Sequence, residues 1–197
     1  MYFCRPNCME MNIAKIFARS WGLMMTTTPT WEGIAGEKTR TNESFRSFVA
    51  PWVIFCSIVS LVFGVIYADS KVLETGFLHA VITSVSLFAA FFLTKAFSFS
   101  FFAANISKVV PRQDIEKLLA YSFTVVFVIK VITDIIPSLF FLKILNVYTA
   151  YIVWEGCNTV LVLDEDNRGK MMIMMSSCIV FLPGLISKII RLMLPAF

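Results

Sequence analysis

Hydrophobic residues in this chain run in five long blocks separated by short polar stretches. The block at 48–68 carries no charge, and the block at 77–104 is broken only by Lys95. The block at 118–136 contains Lys130 and Asp134, and the block at 139–163 contains Lys143 and Glu155. The last, 171–194, has Lys188 and Arg191 near its end. A helix needs about 20 apolar residues to cross a bilayer, and each block approaches or exceeds that length. The strict alternation of a membrane β-strand is absent, so helices are expected and not a barrel. The pattern predicts an all-α polytopic membrane protein with five transmembrane helices, preceded by short amphipathic cytoplasmic helices.

The breaks between blocks read as turns. Asp69-Ser70 ends the first span, and 105–117 reads as a polar loop around Pro111. Pro137-Ser138 suggests a very tight turn between the third and fourth spans, and 164–169 a turn before the fifth. Pro183-Gly184 predicts a kink within the fifth span.

Residues 1–47 form a separate N-terminal segment. In a helix over about 12–25, Ile13, Ile16, Phe17, Ser20, Trp21 and Met24 share one face, with Lys15 and Arg19 elsewhere. This fits either a membrane-interface helix or a helix packed on the protein's own cytoplasmic surface. Thr28 reads as the cap of a second short helix over about 29–36, with Pro29 at its first position. Residues 37–47 read as a linker. Translation is expected to start at Met1, Met9 or Met11.

Composition narrows the class. The chain has 197 residues, 58% of them hydrophobic and 15% charged, against about 45–50% and about 25% in soluble domains. Mean hydropathy is +0.78. These values exclude a soluble enzyme domain, a disordered tail and a disulfide-rich secreted module. The net charge of +4 is scattered along the chain, which argues against nucleic-acid binding. Eleven Lys and Arg residues fall on the N-terminal side of the expected spans and one, Lys71, on the other. The positive-inside rule then predicts a cytoplasmic N-terminus and an external C-terminus. Cys4, Cys8, Cys56, Cys157 and Cys178 lack metal-ligand spacing, so no metal or other cofactor is expected.

Ionisable residues within spans are costly and face a partner or the bundle interior. The Pro137 turn should bring Asp134 and Lys143 to similar depth, and Lys130 lies one helical turn from Asp134. An outer cluster of Lys130, Asp134 and Lys143, with Asn146 close by, is expected. Lys95 and Glu155 lie at matching depths nearer the inner side. They are expected either to pair or to reach separately for the surface. Such charges either fix helix register, form a proton or ion path, or, at Lys130 and Lys143, hold an anionic lipid or substrate. His79 reads as an interfacial residue, and the methionines at 171, 172, 174 and 175 as adaptable packing. Ser60/Gly64 and Ala80/Ser84 are small-residue pairs, which suggest close packing of the first two spans with each other or in a dimer.

The stretches Thr28-Pro29-Thr30-Trp31-Glu32-Gly33-Ile34, Leu119-Ala120-Tyr121-Ser122 and 142–156, in this order and with five spans, resemble the bacterial branch of the Yip-one (Ypt-interacting protein) domain family. The resemblance covers about residues 12–194. It implies a five-helix bundle with a cytoplasmic N-terminus. Eukaryotic members bind Rab-type GTPases, but the Asp-Leu-Tyr-Gly-Pro signature of those members is missing here, so GTPase binding is not carried over. A non-enzymatic membrane scaffold in the cell's inner membrane is the leading expectation, with the lipid bilayer, a membrane-protein partner or a second copy as its contacts. A small transporter or channel subunit using the in-span charges is the alternative. A membrane enzyme would need a catalytic cluster, and the Asp164-Glu165-Asp166 run reads as a solvated turn.

Overall fold

The computed structural model describes residues 13–37, 42–68, 72–105, 111–161 and 163–193. Cys4, Cys8, the alternative starts, the Asp69-Ser70 break and positions 106–110 of the expected 105–117 loop lie outside the described residues. Among the described residues every regular element is helical. Five helices are long and apolar enough to cross a membrane: Phe45–Ile66, Leu73–Ala103, Arg112–Ile135, Pro137–Leu161 and Glu165–Met193. This is compatible with a multi-pass membrane protein, since a helix satisfies its backbone groups internally where water is absent.

Two short helices come first, α1 (Ile13–Met25) and α2 (Thr27–Ala35). Span one is a π-helical turn (Phe45–Val49) continued by α3 (Ala50–Ile66), and span two is α4 (Val72–Asn105). Span three joins α5 (Arg112–Ser122) to α6 (Thr124–Ile135). Span four is a 3₁₀ segment (Pro137–Val147), then α7 (Tyr148–Gly156) and a π turn (Cys157–Leu161). Span five is α8 (Glu165–Met193), which runs through Pro183 as one helix.

The helices extend beyond the apolar blocks because polar residues occupy their first turns. Arg112 to Lys117, expected in a loop, already belongs to α5, with Pro111 as its N-cap. Glu165 to Gly169, expected in a turn, opens α8. Acidic residues are favourable there against the positive end of the helix dipole. Helix α2 begins at Thr27 with Thr26 as N-cap, not at Pro29 with Thr28 as cap.

Span three is the centre of the bundle, with 61% of its apolar window buried, against 17% for span four. Phe123 and Phe127 are wholly buried on it. Trp52 of α3 stacks on Phe127 with ring centres 5.9 Å apart. Helices α3 and α4 pack against each other as an antiparallel pair. Ser57 and Ser84 share a 2.6 Å hydrogen bond, and Ser60 and Thr83 one of 2.9 Å. At the far end a Cβ on Gly64 would lie 3.1 Å from Gly76 Cα. The small residues thus let these two backbones touch within one chain.

Candidate functional site: charged clusters among the helices

Three helices meet at the first cluster. Lys130 and Asp134, one turn apart on α6, form an ion pair. Ser60 of α3 donates a short hydrogen bond to the same Asp134 carboxylate oxygen. Lys130 Nζ also donates to Ser60 Oγ at 3.2 Å, and Ser60 connects onward to Thr83 of α4. The side chains of Lys130 and Asp134 are 30% and 21% exposed, so the pair is largely withdrawn from the surface.

Lys143 does not join this cluster. It is exposed, and among the described residues it makes no hydrogen bond or ion pair. The reason is the winding of Pro137–Val147. In a 3₁₀ helix residues three apart lie in one row, which sets Lys143 in line with Phe140, itself 69% exposed. Asn146 lies on the same row, and its buried Oδ1 has no hydrogen-bond partner.

A second cluster lies where α4, α5 and the segment after α2 come together. Lys95 does not pair with Glu155. Lys95 Nζ donates to Glu116 Oε2 at 3.0 Å and to Asn42 Oδ1 at 2.8 Å. Asn42 has φ 65°, a left-handed conformation that Asn tolerates better than most residues. The Glu116 side chain is 2% exposed and that of Lys95 15%. The other Glu116 oxygen, Oε1, is buried without a partner. Lys117, also buried, donates to the Glu37 carbonyl at 2.8 Å and lies 3.8 Å from Asp114. Glu155 instead accepts a 2.9 Å hydrogen bond from Thr28 Oγ1. That bond occupies the hydroxyl expected to cap α2.

Arg19 reaches the same segment after α2. It is bonded to Glu37 and donates to Tyr121 Oη at 2.6 Å. Burial works against its cation, but the Tyr121 and Glu37 oxygens outweigh that, and its pKa is raised. Trp31, wholly buried, meets Tyr121 edge-on at 6.2 Å. The N-terminal helices are therefore bound into the bundle through Arg19, Thr28 and Trp31.

Comparison with protein-family models, curated proteins and solved structures found no match to this chain.

Of the residues singled out from sequence, Lys130 and Asp134 come together, and Lys95, Glu155, Lys143 and Asn146 each go elsewhere. Glu116, Lys117, Ser60, Thr83, Arg19 and Glu37 were not singled out as members of a cluster. A signal for Glu116 and Lys117 was present: Ile115, Leu118, Leu119 and Ser122 follow helical spacing after Pro111, with Asp114 in the first turn.

Proposed function

We propose that this chain is a non-enzymatic organising protein of the Yip-domain type in a bacterial inner membrane. In this reading its N-terminus is cytoplasmic and its C-terminus external. The observation that carries it is that the in-span charges Lys95, Lys130 and Asp134 are tied to partners, one pair across two helices and one on a single helix with Ser60 of α3 bonded to it. Lys95 bonds to Glu116, and Lys130 to Asp134 and Ser60. Charges committed to one another hold helix register and are not free to carry a substrate. The eleven-to-one bias in basic residues supports the orientation.

The test is to reconstitute the Lys130→Met/Asp134→Leu double variant in liposomes with a trapped pH dye. A scaffold folds and shows the same proton leak as the wild type. A transporter loses a flux that the wild type has. The transporter reading is kept for one observation, the unpartnered Glu116 Oε1. A cation-dependent flux abolished by Glu116→Gln with folding intact would favour it.

A further inference from the structure

We infer that α1 is a wedge in one leaflet: it lies among the acyl chains of the leaflet that holds the starts of spans one and three, and it couples the protein to membrane curvature. This rests on the five helices crossing the bilayer and on no assigned partner.

The depth of α1 follows from what it touches. Near its start, Phe17 meets Phe55 and Trp52 of span one, with ring centres 5.4 and 5.0 Å apart. In its middle, Ser20 accepts a 3.0 Å hydrogen bond from Trp52 Nε1. At its end, the Met24 carbonyl accepts one from Tyr148 Oη of span four at 3.2 Å. At a rise of about 1.5 Å per residue, Phe55 lies roughly 13 Å inside Arg46. By the same measure Tyr148 lies roughly 15 Å inside Asn158. Arg46 and Asn158 belong to the polar turns near those span ends, with Ser47 and Thr159 beside them and Glu155 about one turn further in. Both ends of α1 thus sit several turns inside the bundle, so α1 crosses its face as a strap from span one to span four. A helix resting at the headgroups would touch only the first turns of the spans.

The two faces of α1 agree with this placement. Ile16, Ser20 and Leu23 are buried against the bundle, while Phe17, Trp21 and Met25 are 41%, 65% and 60% exposed. These three are four residues apart in turn and form one outward stripe. The stripe continues the exposed apolar surface of Ile54, Phe55 and Ile58 on span one, the surface that a membrane-spanning helix presents to lipid. Between Ser20 and Trp31 the chain carries no charge, and Arg19 is already satisfied by Glu37 and Tyr121. Lys15 is exposed near the start of α1, with a stem long enough to reach the headgroups. The occupant that matches a charge-free stripe continuous with the spans is the lipid acyl chain. Five spans displace lipid in both leaflets, but α1 displaces it in one. That leaflet is expanded relative to the other and bends convex on the N-terminal side.

Two measurements test this on the full chain in phosphatidylcholine/phosphatidylglycerol vesicles. Spin labels at Phe17→Cys, Trp21→Cys and Met25→Cys, with the native cysteines replaced by Ala, are expected to favour collision with oxygen over a water-soluble nickel chelate at all three sites. Preferential collision with the chelate overturns the depth, and protection from both overturns lipid as the occupant in favour of a protein. In lipid tubules pulled from giant vesicles, the protein is expected to concentrate several-fold over the flat membrane. Trp21→Glu/Met25→Lys, both at exposed positions, is expected to abolish that enrichment with an unchanged elution volume in detergent. Equal enrichment of wild type and variant overturns the curvature coupling.

Discussion

The Trp31 ring lies against the bare backbone of Gly156. A Cβ at 156 would come within 2.8 Å of Trp31 Cζ2 and would also collide with Leu118. Trp31 is wholly buried, and Leu118 is too, so neither can swing into solvent. Gly156→Ala is therefore expected to destabilise the protein by about 1–3 kcal/mol, the usual cost of overpacking. A lowered melting midpoint in detergent checks it. A midpoint equal to the wild type would show that α2 can move away without loss.

Removing one member of the Lys95–Glu116 pair leaves the other charge buried and uncompensated. Lys95→Met is expected to cost about 3–5 kcal/mol, since breaking a buried pair costs more than replacing it. Lys95→Met/Glu116→Leu should recover most of the loss. Denaturant unfolding of the two singles and the double decides it. An additive double variant would mean that the two residues are not coupled.

For Ser60 and Asp134, which meet across α3 and α6, the expected coupling is smaller. Interhelical polar contacts in membranes average about 0.6 kcal/mol, and Ser60 also accepts from Lys130. Ser60→Ala is expected to lower stability by about that amount and to leave the Lys130–Asp134 coupling in place. A double-mutant cycle over Ser60 and Asp134 measures it, and zero coupling energy is the contrary result.

Trp52→Phe removes the hydrogen bond that Trp52 Nε1 donates to Ser20 and retains most of the stacking on Phe127. A typical hydrogen bond contributes about 1 kcal/mol. When opening is fast relative to cleavage, that corresponds to an about fivefold larger open population of α1. Trypsin should cut after Lys15 or Arg19 faster in this variant by about that factor. Unchanged cleavage rates would show that Ser20 does not anchor the helix.

The spans were legible in the sequence because bilayer-length apolar blocks have few other readings. The Lys130–Asp134 pair was legible because it is local, one turn of a single helix. The partners of Lys95 and Glu155 were not. Depth matching gives one coordinate, and pairing also needs the rotation of each helix and the order of neighbours around the bundle. Glu116 was hidden because a charged stretch beside a proline looks like a loop, whereas α5 carries it into the centre. Lys143 was not legible because an apolar block does not reveal the 3₁₀ winding that sets it in the exposed row of Phe140. The split face of α1 has a related origin. Periodicity groups Ile16, Ser20, Phe17 and Trp21 together, although the bundle covers the first two, meets Phe17 on one side and leaves Trp21 open.

The Gly64–Gly76 contact sets the spacing of spans one and two at one end. Helix axes usually stand about 8–10 Å apart, held there by side chains, and glycine removes that spacer where α3 and α4 touch. At this end two spans therefore take up less area in the plane of the bilayer than two ordinary helices. At the opposite end the cross-section includes α1 and α2 in addition to the spans. Val65 packs over Gly76 and His79 over Gly64, so a methyl group added at either glycine would have to push a neighbouring helix aside and widen the glycine end.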